Sequence, residues 1–252
     1  MGYATEKSIY EELKPFASMV IDQGRGVTVS DLAFASAEDR YSTAFISLPL
    51  ANVYPGSTTV KLFQKNIGEA GQGSGTLALT RGETNNTNGD RQPSNQVYIG
   101  THLGFQVYAI TTATTPSLNN IKIQNPNTLF KICNNTVWNL TVGDGIKRTL
   151  GKLIDYPSGG GIDGMIFSST SCSAGALPTM TANNGWVGCA KRKLPIPVVF
   201  PPNVQVDIEL ETGAAQTLID NVVDASVSAG SFSTGSIAIV ACFKGFRMTL
   251  PA

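Results

Sequence analysis

The sequence predicts an all-β fold in which one strand-rich unit is used twice, and three observations carry that expectation. The first is composition. Only 14% of the 252 residues are charged, while Gly counts 26 and Pro 13. An average globular chain carries roughly 25% charged residues, and a chain poor in Glu, Lys and Arg but rich in turn formers suits short strands joined by turns. The second is alternation: Thr59 to Leu62 and Val206 to Leu210 place apolar residues at every other position, the period of a half-buried strand. The third is an internal echo. Leu48-Pro49-Leu50-Ala51-Asn52-Val53-Tyr54-Pro55, leading into Val60-Lys61-Leu62, matches Leu194-Pro195-Ile196-Pro197-Val198-Val199-Phe200-Pro201, leading into Val206-Asp207-Ile208. A shorter echo follows in the same order, with Gly104-Phe105 matching Gly245-Phe246. What repeats is strand and turn grammar, with no catalytic residue type in it.

Taken in order, Ser8 to Met19 is the best helix candidate. Ser8 and Glu11 have capping-box spacing, and Ile9, Leu13 and Phe16 share one face. Pro15 shortens or kinks the run. Followed by Gly24-Arg25-Gly26, residues 1–25 read as an amphipathic docking arm. Strands are expected over 26–34, 44–50, 58–64 and 97–112, with 68–96 as a long exposed polar loop that includes a short strand at 76–80. The stretch 111–117 (TTATTPS) is the most linker-like in the chain. It places a boundary between a first unit, 26–114, and a second, 118–252. In the second unit, strands are expected over 120–124 and 128–142. Loops follow at 158–164 and 168–188, then strands at 204–210 and 236–250. The last of these is apolar enough to lie inside a sheet.

Formal net charge is zero, which favours association over life as a free monomer and argues against a broad cationic face for nucleic acid. The first 19 residues mix acids with apolar residues and do not read as a secretory leader; no apolar run reaches the length of a membrane span. Cys133, Cys172, Cys189 and Cys242 fit no zinc or redox spacing. They read as free thiols of a reducing cytoplasm, with Cys172 and Cys189 the one pair placed to bridge a loop.

Few residues suggest chemistry. His102 is the single histidine and would have to serve any Ser/His/Asp or Cys/His set; a sheet-surface or contact role is the simpler reading, and no enzyme is expected. The glycine runs at 71–75 and 159–161 lack the Lys-Ser/Thr of a phosphate loop. Asp155 with Asp163, or Asp220 with Asp224, are possible carboxylate pairs; the second, at i, i+4 spacing, is the candidate for a structural calcium ion, with solvated surface as the ordinary alternative and no other cofactor expected. Asp207, Glu209 and Glu211 form an acid stripe on the polar side of a strand. Lys191-Arg192-Lys193 is the one basic cluster, placed to meet phosphate, lipid headgroups or a neighbouring subunit's acids.

The run from Lys193 through Leu-Pro-Ile-Pro-Val-Val-Phe-Pro-Pro-Asn to Leu210 resembles a strand-turn-strand element of jelly-roll capsid proteins, and residues 119–138 are similar to early strands of such proteins. With the tandem echo, the low charge and the arm, the chain resembles the double jelly-roll major capsid proteins of tailless, membrane-containing icosahedral bacteriophages. That resemblance implies two upright barrels per chain, a homotrimeric capsomer of pseudo-sixfold outline, and self-assembly into a virion shell after synthesis in the host cytoplasm. Its partners would be further copies of itself, penton or spike proteins and an internal viral membrane, with no sequence-specific nucleic acid. The assembly residues would be Ile9, Leu13, Phe16, Lys191, Arg192 and Lys193. A single jelly roll with large insertions is the alternative fold. A carbohydrate- or receptor-binding β-sandwich, using Trp138, Trp186 or Tyr156, is the alternative function.

Overall fold

The computed structural model describes residues 35–48, 53–71, 77–89, 91–110, 118, 121–122, 126–156, 191–217 and 236–249. The helix expected at 8–19, and with it Ile9, Leu13 and Phe16, lies outside them, as does the strand expected at 26–34.

The described chain is dominated by antiparallel strands. They are β1 (Ala35–Ser47), β2 (Val53–Tyr54), β3 (Thr59–Leu62), β4 (Gln96–Ile110), β5 (Ile121–Lys122), β6 (Thr136–Val142), β7 (Arg148–Lys152), β8 (Arg192–Phe200), β9 (Val206–Thr212), β10 (Gln216–Thr217) and β11 (Ser236–Thr249), with one helix, α1 (Pro126–Asn135). One sheet has the order β1-β11-β4-β8, with β5 beside the far end of β4. The second has the order β3-β9-β6-β7. Alternation explains the layering. In β1, Ala44 and Ile46 turn inward; in β9, Val206, Ile208 and Leu210 do so while Asp207, Glu209 and Glu211 turn out. One apolar cluster takes side chains from both sheets, among them Phe105, Phe200 and Phe243 from the first and Leu62, Trp138 and Ile208 from the second. The two sheets therefore face each other across a shared core.

This order corrects the expected pair of barrels. Strands from both sides of the boundary set at 114–118 occur in both sheets. The echoed segments are not equivalent parts of two bodies. Val60 pairs with Leu210 and Leu62 with Ile208, so β3 and β9 are adjacent antiparallel neighbours. The shorter echo likewise falls on neighbouring strands, β4 and β11. The likeness arises because the segments do similar jobs at one sandwich: each leads through a proline-bearing turn into a half-buried strand.

Three further expectations change. Residues 128–135, read as strand, belong to α1. Pro126 opens the helix, where a missing N–H costs nothing. Ile132 and Cys133 pack inward while Phe130 faces out. A short apolar run does not separate helix from strand by pattern alone. The long loop after β3 is anchored rather than fully exposed: Glu83, Thr84, Asn86 and Gln92 are buried. In place of a strand at 76–80 there is a single bridge, Ala70 to Ala78. The terminal strand expectation is met, since β11 lies between β1 and β4.

Candidate assembly surface and polar clusters

The predicted basic cluster sits where β8 enters the first sheet, and its three members have different surroundings. Lys191 Nζ lies 2.8 Å from Asp39 Oδ2. Burial depresses its ammonium, but the hydrogen bond to Asp39 and one to Cys242 outweigh that and leave it above the usual lysine range. Arg192 Nη1 donates to the Asp155 carbonyl at 2.7 Å, and its guanidinium lies 4.9 Å from the Tyr156 ring centre, a stacking that arginine favours. Lys193 is exposed, opposite His102 on β4. Lys191 and Arg192 are thus held by the chain's own groups, and Arg192 ties the start of β8 to the turn after β7.

That tie puts two outer strands on one flank of the sandwich. β8 is the outer partner of β4, and β7 the outer partner of β6. β8 departs from regular pairing: Lys193 faces His102 and Val198 faces Gly100, so Leu194, Pro195, Ile196 and Pro197 form an irregular, bulged stretch of the strand opposite Thr101. Two prolines without N–H groups suit such an edge segment. Leu194 returns to the core, while Ile196 stands 69% exposed. On the β7 side Ile146 is 84% exposed and Leu150 is also exposed. Sequence reading named only the basic residues of this flank; the aliphatic ones become visible once both edges are known.

The acid stripe is a charge ladder on the outer face of the second sheet. Lys61 Nζ lies 3.2 Å from Asp207 and 3.4 Å from Glu209. Lys147 Nζ lies 2.9 Å from Glu209 and 3.1 Å from Glu211. Burial works against ionisation of Asp207, yet hydrogen bonds from Gln205, Gln64 and Lys61 prevail and hold its carboxyl below the ordinary range.

Sequence reading missed the buried cation. Arg40, on the inner side of β1, has its guanidinium 5.1 Å from the Phe200 ring centre, 5.5 Å from Tyr98 and 5.7 Å from Phe63. Its Nη2 donates to Asn86 Oδ1 at 2.6 Å. Burial pulls its pKa down to about 10, which leaves it charged at neutral pH. Asn86 Nδ2 in turn donates to the Phe63 and Gly89 carbonyls. With Thr43 Oγ1 donating to the Glu83 carbonyl at 2.7 Å and Asn85 Oδ1 accepting from Tyr41 N–H at 3.0 Å, these bonds fasten the long loop along β1. An otherwise open edge is covered. The signal available in the sequence was Arg40 itself, which shares the inward parity of Ser42, Ala44 and Ile46.

The other candidates place simply. His102 is half-buried, its Nδ1 2.9 Å from Thr101 Oγ1, with Lys244 and Lys193 across the neighbouring strands. Asp155 Oδ2 accepts from Lys152 N–H at 3.2 Å; Asp163, Asp220, Asp224, Cys172, Cys189 and Trp186 lie outside the described residues. Among the described residues, no three His, Cys, Asp or Glu side chains gather as for a metal ion. Trp138 and Tyr156, proposed as sugar-stacking aromatics, are interior and pack edge to face with centres 5.4 Å apart. No protein-family model, curated protein or solved structure matches this chain.

Proposed function

We propose that the protein is a self-assembling structural subunit of an icosahedral virion shell, with a single jelly roll as its body. The observation that carries this reading is strand order. Counting the eight longer strands along the chain, one sheet takes the first, eighth, third and sixth, and the other the second, seventh, fourth and fifth. That two-sheet arrangement is the jelly roll, an architecture used by viral capsid and lectin domains alike. Of these two uses, the capsid reading is favoured by the flank of exposed Ile146, Leu150 and Ile196, and by zero net charge. The lectin-like reading loses two of its three stacking candidates to the core. One body per chain gives a trimeric capsomer a threefold outline and removes the reason to expect a pseudo-sixfold one. The arm, with Ile9, Leu13 and Phe16, remains the proposed contact to neighbouring capsomers or an internal membrane.

Sedimentation and negative-stain imaging of the purified protein test the reading. Trimers that build into closed shells or sheets are expected. A chain that stays monomeric at every concentration and salt condition tried would overturn it.

A further inference from the structure

Lys191 and Arg192 are held by the chain's own groups, but Lys193 belongs to a different set. Lys193 on β8 lies opposite His102 on β4, and His102 lies opposite Lys244 on β11. Residues directly opposed on neighbouring strands project from the same face, about 5 Å apart. One position along, Leu103 and Phe243 are opposed and both sit in the core. The row Lys193, His102, Lys244 therefore stands on the outer face of the first sheet, with both lysines exposed. The row continues to Asp39 on β1, opposite Lys244, but that carboxylate is already engaged by Lys191 at 2.8 Å. The remaining charged or titratable groups nearby are Cys242, next on this face of β11, and the Glu38–Arg247 ion pair. Thr101 fixes the tautomer of the histidine. Its hydroxyl donates to the Lys244 carbonyl at 3.2 Å and lies 2.9 Å from His102 Nδ1. One hydroxyl hydrogen cannot serve both, so Nδ1 carries the ring proton and donates. Nε2 is then the nitrogen that gains a proton as pH falls.

We propose that Lys193, His102 and Lys244 form a binding site for a tetrahedral oxyanion, a phosphate or sulfate group, and that the site tightens when His102 takes its second proton. Like charges set directly opposite one another across strands are unfavourable. A bridging dianion turns that liability into three charge-assisted hydrogen bonds. The two ammoniums supply charge throughout the neutral range, and the Nε2 proton adds a third donor and a third charge in mild acid. Histidine is the side chain that changes charge between about pH 5 and pH 8, so the site strengthens on acidification across that window. Linkage makes the effect reciprocal: the bound anion keeps the imidazole protonated to higher pH. The basic cluster seen in the sequence thus contributes one residue to the site, and the sheet supplies the other two from strands far away in the chain.

His102 is the single histidine, so its imidazole resonance in the full-length protein is identified without further assignment. The test follows that resonance through a pH titration with sodium sulfate, and with sodium chloride at equal ionic strength. Sulfate keeps its charge across the range, so only the protein titrates. Sulfate should move the His102 midpoint upward relative to chloride, and should bind about tenfold more tightly near pH 5.5 than near pH 8. His102→Gln should remove that pH dependence while leaving weak binding. Lys193→Gln with Lys244→Gln, both at exposed positions, should abolish binding and leave the unfolding midpoint unchanged. A second arm replaces sulfate with vesicles of phosphatidylglycerol in phosphatidylcholine. A response to free sulfate supports a soluble phosphate or sulfate as the ligand; a response to vesicles alone, lost in the double lysine variant, supports a lipid headgroup. The proposal is overturned if neither arm moves the His102 midpoint, if sulfate binds equally at both pH values, or if the double lysine variant binds like the parent.

Discussion

At Gly245 a side chain has nowhere to go. A Cβ there would stand 2.0 Å from the Ile99 carbonyl oxygen and 2.9 Å from the Tyr98 hydroxyl. The first obstacle is backbone of the adjacent strand, which cannot swing aside. Gly245→Ala should therefore cost about 3 kcal/mol, the upper range for overpacking, seen as a lower urea midpoint with an unchanged slope. Asp207 gives a second residue-scale expectation, in pH. Its folded pKa lies below the ordinary carboxylate value, so the unfolded chain holds the proton more tightly. The stabilisation is complete above the unfolded pKa, near 3.9, and is lost as pH falls through the folded one. Asp207→Asn should flatten the acid limb of a stability–pH curve below about pH 4; because Asp207 also helps hold the Lys61 ammonium above its ordinary value, the alkaline limb should flatten slightly as well. The sequence marked Gly245 only as part of an echo and Arg40 only by its inward parity, and it showed the role of neither. Each owes its role to a neighbour far away in the chain, Ile99 for one and Asn86 for the other, and no local pattern encodes such a pairing.

Among elements, the loop after β3 matters most, because it covers the edge of β1. Asn86→Ala would remove the acceptor for Arg40 Nη2 and the donor to the Phe63 and Gly89 carbonyls. Leaving such buried groups unpaired costs about 1–3 kcal/mol. The variant should lose stability on that scale and become sensitive to limited proteolysis within residues 64–95 while β4 stays protected. Strand periodicity made β3 and β9 readable in advance, since each buries alternate residues against the core, while β4 and β11 were readable as long apolar runs buried nearly throughout. The anchoring of the loop was not readable. Its Asn, Thr and Gly content matches that of a solvated loop, and only its bonds to β1 distinguish it. The helix α1 was hidden for a different reason: a few apolar residues beside β6 satisfy helix and strand periods equally well.

For the molecule as a whole, the sheets mix early and late strands, so the two halves should not be separable. Residues 118–252 expressed alone would carry β8 and β11 without β1 or β4, and should show no cooperative unfolding transition. A folded, two-state fragment would restore the tandem-barrel reading. Intact chains carrying Ile146→Asp and Ile196→Asp should keep their stability within about 0.5 kcal/mol, as exposed substitutions do. Their assembly should weaken markedly by sedimentation if this flank joins subunits. All-β character was legible in composition, whereas topology was not: a repeated phrase can mean two bodies or two neighbours in one sheet, and only register decides. The central place of β11 has a consequence for biogenesis. On the ribosome, β1 and β4 emerge long before the strand that belongs between them, and until it arrives they expose ready-made edges. Non-local pairing of this kind slows folding and leaves intermediates open to aggregation. The nascent chain must therefore wait, shielded or at low concentration, until β11 is made, and one subunit cannot grip another through a finished sheet before then.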